Sequence, residues 1–255
     1  LSIGGGKANF TVQENGVFNF RVLSSRQGVT LFTIKDQGQV HIFDVLTGKG
    51  FIDDATPADR PEVPGGSRSS LSSGGETDST LRIQDSGQMT VNSFAGLGIS
   101  GPRGGTDDGG KALMIVRDSG SFRVEQDFAL ATGTKAETSD GTLEVRGPDA
   151  TVSIGGNLNM AVDSDGLVPT TDLVDEDGNP LPAKSTLHAV ITSSTQSTVH
   201  VDGIARIAQG ILKVSLDGFT PMGGESFTLI QGGEIEGEFR EVDLSSAPLS
   251  DGLSW

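Results

Sequence analysis

There is no cysteine and no tyrosine in this chain, and its one tryptophan is the last residue, Trp255. Without cysteine there can be no disulfide, no thiolate metal site and no thiol nucleophile. Without tyrosine, and with Trp255 alone at the end, the large ring faces that stack on sugars are almost missing. Basic residues are scarce: 18 Lys and Arg stand against 34 Asp and Glu, for a formal charge of -16. A surface this acidic repels phosphate backbones and anionic bilayers, so no nucleic acid is expected as a partner. No apolar run approaches the ~18 residues of a spanning helix, and no membrane insertion is expected. Hydrophobic residues make up only 34%, less than an ordinary globular domain carries. A thin core drawn out along an axis tolerates that better than a sphere does.

What the chain does have is glycine, 37 residues of it, placed in an internal repeat. Phe10, Val12, Glu14, Gly16, Phe18 and Phe20 alternate with other residues to make the first copy. Phe32, Ile34, Asp36, Gly38, Val40 and Ile42 make the second. The third is Leu81, Ile83, Asp85, Gly87, Met89 and Val91, and the fourth is Met114, Val116, Asp118, Gly120, Phe122 and Val124. All share one gapless template: two alternating apolar residues, an acid, a glycine, two more alternating apolar residues. Two weaker copies follow. Leu143 and Val145 precede Gly147-Pro148-Asp149, with Val152 and Ile154 beyond; Ala189 and Ile191 precede Ser193-Ser194-Thr195, with Val199 and Val201 beyond.

Alternation with period two turns one face of each strand inward. The acid-x-Gly step predicts a turn in which glycine takes the left-handed φ and the carboxylate bonds nearby amides. Anchor spacing is uneven, 22 residues from Glu14 to Asp36 and 49 from Asp36 to Asp85. Such gaps suit a solenoid whose strands stack in register while loops of variable length leave its corners. The expected insertions are residues 53–79, rich in proline, glycine and serine; 98–111, glycine-rich; and 163–184, ending in Asn179-Pro180-Leu181-Pro182. No capped amphipathic helix is evident. The expectation is an all-β, right-handed parallel β-helix over residues 1–255 as one domain. The chain starts at Leu1 without Met or a visible leader, and we expect it to be a processed fragment of something longer.

Thr80-Leu-Arg-Ile-Gln-Asp-Ser-Gly-Gln-Met-Thr-Val91, Val152-Ser-Ile-Gly-Gly-Asn-Leu158 and Gly210-Ile-Leu-Lys-Val-Ser-Leu-Asp-Gly-Phe219 resemble repeats of bacterial extracellular β-helix proteins. The families concerned are the autotransporter passenger-like and PEP-CTERM-associated ones. The resemblance implies an extracellular or cell-surface location and transfers no catalytic residue.

Candidate chemistry is sparse. Asp85, Arg117, Asp118 and Arg123 form a charged group, but Asp85 and Asp118 are already explained as turn residues. His41 and His200 fall at outward strand positions, and no histidine spacing suits zinc. Gly4-Gly5-Gly6-Lys7 lacks the rest of a phosphate loop. No Gly-x-Ser-x-Gly elbow occurs, although composition alone leaves a serine triad open. The best ligand site is for Ca²⁺: Asp175, Asp177 and Asn179 follow the alternate spacing that lets hard oxygens converge, with Asp163 and Asp165 able to join. The chain is expected not to be an enzyme. The leading expectation is a structural building block of a surface layer, sheath or fibre. It would self-associate end to end through open solenoid edges carrying Phe10, Phe18, Phe20 and Phe227. The alternatives are an adhesin or glycan-binding module, then a β-helix polysaccharide lyase or hydrolase.

Overall fold

The computed structural model describes residues 2–20, 22–42, 70–73, 77–98, 111–131, 139–162, 183–250 and 252–254. Among them every regular element is a strand and every strand pairing is parallel. The chain opens with β1 (Ser2–Val12), β2 (Val17–Phe20) and β3 (Val22–Ile34), then β4 (Gln39–Ile42) and β5 (Ser70–Ser73). Three regular triplets follow: β6 (Thr77–Ile83), β7 (Gln88–Val91) and β8 (Phe94–Leu97); β9 (Lys111–Arg117), β10 (Ser121–Val124) and β11 (Phe128–Leu130); β12 (Asp140–Arg146), β13 (Thr151–Ile154) and β14 (Leu158–Met160). The last five are β15 (Lys184–Ile191), β16 (Val199–Arg206), β17 (Ile211–Leu216), β18 (Ile230–Glu236) and β19 (Glu241–Ser246).

The pairings sort into three ladders. One joins β1, the second half of β3, β6, β9, β12, β15, β17 and β19. The second joins β2, β4, β7, β10, β13, β16 and β18. The third joins the start of β3, β5, β8, β11, β14 and the end of β16. Each coil therefore lies on the one before it, strand on like strand, as in a β-solenoid. The interval from Asp36 to Asp85 is a single coil with an insertion, because β3 pairs directly with β6.

Alternation sets the core as expected. Val12, Ile34, Ile83, Val116 and Val145 are all buried and register with one another rung by rung. The column continues through Ala189 and Val214, both buried. In the second ladder Val40, Met89, Phe122, Val152 and Val199 form the matching buried column. Phe122 also meets Phe128 of the third ladder, ring centroids 5.4 Å apart. Burying each such ring contributes roughly 1.5–3 kcal/mol.

The turns reverse the roles expected of their residues. Glu14, Asp36, Asp85 and Asp118 hold the positive φ, all between 55° and 57°, while the glycine two residues on does not. Each glycine N–H donates to the carbonyl three residues back, as Gly120 does to Arg117 at 2.9 Å. A left-handed φ at the second residue of the turn is one that Asp bears at modest cost for a side-chain-bearing residue. The carboxylates lean on the preceding residue: Asp36 on Lys35, Asp118 on Arg117, and Asp85 on Gln84. Glycine is required for another reason. A Cβ on Gly38 would lie 2.6 Å from Val12 O, one on Gly87 2.6 Å from Ile34 O, and one on Gly120 2.4 Å from Ile83 O. Each of these carbonyls belongs to the preceding coil.

A further corner follows the third strand, and the sequence did not announce it. Gly98, Ala131 and Ala161 occupy equivalent positions, all with φ between 52° and 64°. Both alanines are buried and pack with Ala183. Ala131 N–H donates to Leu97 O at 2.7 Å and Ala161 N–H to Leu130 O at 2.9 Å, which locks the corner to the coil before it. Between second and third strands, Asp127 Oδ1 accepts the Asn157 N–H at 2.7 Å, and Asn157 Oδ1 accepts the Ile204 N–H at 2.9 Å.

Two expectations need correction. The insertion at 53–79 is drawn too long: Ser70–Ser73 and Thr77–Ser79 are strand, paired in register with β3. The alignment of the sixth copy is also slipped. Leu143 pairs with Leu187 and Val145 with Ala189, so Ala189 takes the place given to Ile191. A two-residue slip preserves the buried face, which is why the sequence pattern did not expose it.

Candidate functional site: an outward polar column and two open core ends

The outward face of the first ladder carries a charged column across its C-terminal rungs. Glu144 on β12 registers with His188 on β15, His188 with Lys213 on β17, and Lys213 with Asp243 on β19. Period two puts all four on the same side of the sheet. His188 Nδ1 lies 3.2 Å from Glu144 Oε2, and both side chains are largely covered, 16% and 15% exposed. On its other side His188 Nε2 lies 2.8 Å from Ser215 Oγ. Arg146 flanks the group. Its Nη1 is 3.9 Å from Glu144 Oε1, and its Nη2 reaches across β15 to bond Asp217.

Burial acts to raise the Glu144 carboxyl. The hydrogen bond from His188, the His188 charge and the guanidinium groups of Arg146 and Arg117 outweigh it and hold the group below the usual carboxylate range. Asp243 is also lowered, chiefly by hydrogen bonds from the Ser245 hydroxyl and amide. An open cleft of about 410 Å³ starts at Glu144 and His188 and runs across β12, β9 and β6. Asp140, Thr142, Lys111, Thr80 and Asp78 supply its polar lining.

The charged group singled out in the sequence is dispersed by comparison. Arg117 donates to Gln84 at 2.8 Å and Arg123 to Glu125 at 2.6 Å. The Arg123 bond holds Glu125 below its usual range. His41 lies within 3.5 Å of Gln39, and His200 is exposed on its strand. Asp175, Asp177 and Asn179 lie outside the described residues, as do Asp163 and Asp165. Among the described residues no group of three or more His, Asp or Glu is placed to hold a metal ion. No helix there is long and apolar enough to cross a membrane.

The residues expected at the ends are placed unevenly. Phe10 packs between Phe18, edge-on at 5.1 Å, and Phe32, stacked at 4.9 Å. Phe20 pairs with Ile42 on the next strand. Phe227 is not on an edge strand: it precedes β18 and meets Phe219 at 6.3 Å in a satellite cluster with Ile191, Val214 and Ala247. Of the four, Phe18 ends an inward column, and Val242 and Ile235, not singled out in the sequence, do the same at the other end. Phe18 registers with buried Val40, Val242 with Leu212, and Ile235 with buried Ala205. These are end members of inward columns, yet Phe18 is 41% exposed, Val242 52% and Ile235 50%.

The chain matches no family model, no curated protein and no solved structure.

Proposed function

We propose that this chain is a structural segment of a secreted right-handed parallel β-helix that assembles end to end into a fibre, sheath or surface layer. The observation that carries the reading is the exposure of Phe18 at one end of the inward columns and of Ile235 and Val242 at the other. Among the described residues β1 and β2 pair on one side only, as do β18 and β19. Unpaired strand edges backed by apolar side chains are templates for another strand. A second copy stacked on the axis would continue both the ladders and the columns, a head-to-tail contact that propagates. The net charge of -16 opposes lateral clumping while leaving axial joining open. Ca²⁺ at Asp175, Asp177 and Asn179 would screen repulsion between neighbours.

Sedimentation and electron microscopy across protein concentration, with and without calcium, test this. Linear assemblies are expected, lost in Phe18→Asp and in Val242→Asp while the chemical unfolding midpoint of the distant coils holds. A chain that stays monomeric at high concentration with calcium present overturns the reading.

A further inference from the structure

Glu144, His188 and Ser215 stand in the order carboxylate, imidazole, hydroxyl, joined by contacts of 3.2 Å and 2.8 Å. They come from three neighbouring strands of one ladder, so the rigid sheet and not a loop fixes their spacing. An ionised Glu144 can only accept, so His188 donates to it from Nδ1, and the deprotonated form of the ring turns its Nε2 lone pair to Ser215 Oγ. This is the arrangement in which a serine hydroxyl gains a base and the base gains an orienting carboxylate. Ser215 is half-buried.

We propose that Ser215, His188 and Glu144 form a nucleophilic relay that hydrolyses carboxylic esters. Ser215 Oγ attacks the ester carbonyl carbon, and its proton passes to His188 Nε2. Glu144 accepts the hydrogen bond from Nδ1–H, the proton staying on the ring, and its charge stabilises the imidazolium. The bond from carbonyl carbon to alcohol oxygen breaks, and Nε2 returns the proton to the departing alcohol. Water then gives a proton to Nε2 and attacks the acyl-serine, releasing the carboxylic acid and restoring Ser215. No oxidant or second co-reactant is needed.

The backbone at Ser215 is engaged in the ladder between Val190 and Ser246. The developing oxyanion must therefore be met by a side-chain cation, and Arg146, in the same register two strands away, and Lys213, two residues before Ser215, are the cations placed for it. Arg146 passes over β15 to Asp217, two residues beyond Ser215. Lys213 sits in register beside His188.

Treating the 255-residue chain with a fluorophosphonate and mapping the adduct by mass spectrometry tests the nucleophile directly. Modification confined to Ser215, blocked in His188→Gln, is the expected result. Hydrolysis of p-nitrophenyl acetate and of glycerol triacetate should be lost in Ser215→Ala and fall ~100-fold or more in Glu144→Gln. These three positions face outward, so a single cooperative melting transition, shifted by no more than the loss of one hydrogen bond, will certify the variants. An unmodified Ser215 in the folded chain, or Ser215→Ala hydrolysing both esters as fast as the parent, overturns the proposal. Neither outcome bears on end-to-end assembly, which uses other residues.

Discussion

The middle coils and the last coils of this molecule are built on the same ladders but not to the same standard. From β9 to β12 seven consecutive residues pair without a break, and the buried and half-buried positions alternate cleanly. Between β16 and β18, and again between β17 and β19, the register slips. The strands there lose alternation and expose Ile235 and Val242. Two differences account for this. The middle coils are packed on both sides, while among the described residues β18 and β19 pair on one side only. The turn after β9 also keeps the acid-x-Gly step, whose Gly120 is pressed onto the Ile83 carbonyl of the coil before. Strand pattern makes the ladder; contact from both sides holds its register.

Substitutions in pairs sharpen that contrast. The largest gap should separate Phe122→Ala from Val242→Ala. Phe122 is fully buried in mid-column, and its truncation should cost about 3–5 kcal/mol. Val242 is half-exposed at the end, and its truncation should change stability by less than ~0.5 kcal/mol. Urea midpoints at constant slope measure both, and equal losses would break the comparison.

Turn glycines should give the next largest gap. Gly120→Ala places a methyl 2.4 Å from Ile83 O, whereas in Gly16→Ala the nearest atom is Gln13 O, 3.0 Å away in its own turn. The expected cost is ~2–3 kcal/mol for Gly120→Ala and under ~1 kcal/mol for Gly16→Ala, read from thermal and urea unfolding. A Gly16→Ala variant as damaged as Gly120→Ala would show that the turn itself, not the stacking, demands glycine.

The smallest effect concerns the polar column that ties the regular coils to the irregular ones. Glu144→Gln should remove about 1 kcal/mol near neutral pH, since one charged hydrogen bond is replaced by a neutral one. The sign follows from the lowered Glu144 carboxyl. A group depressed in the folded state contributes stability above its unfolded value and loses it as pH falls through the folded one. Parent and Glu144→Gln should therefore differ at neutral pH and converge in acid below the carboxylate range. A gap that persists unchanged in acid would assign the effect to packing.

Much of the fold was legible because the repeat is gapless where it matters. Val12, Ile34, Ile83 and Val116 hold the same place in four copies, and they fall on one column. The third strand was not legible. Phe128–Leu130 and Leu158–Met160 are three residues long and buried throughout, so no period shows. Alanine gives no sign that Ala131 and Ala161 will hold a left-handed φ. In the turn, Asp and Gly were both visible, but which one bears the strained angle depends on the coil beneath. The relay was hidden for a similar reason. Glu144, His188 and Ser215 are far apart in sequence and meet only through the register of β12, β15 and β17, across a stretch where the repeat template has decayed. Phe227 misled because apolar alternation near it resembles a strand that begins only at Ile230.

Gly38, Gly87 and Gly120 each fit against a carbonyl that lies earlier in the chain, at Val12, Ile34 and Ile83. The seam is shared by both coils: the glycine of one and the carbonyl of the other can close only together. A bulkier residue at the turn would therefore push on two rungs at once, and the damage would spread along the axis and not around the coil.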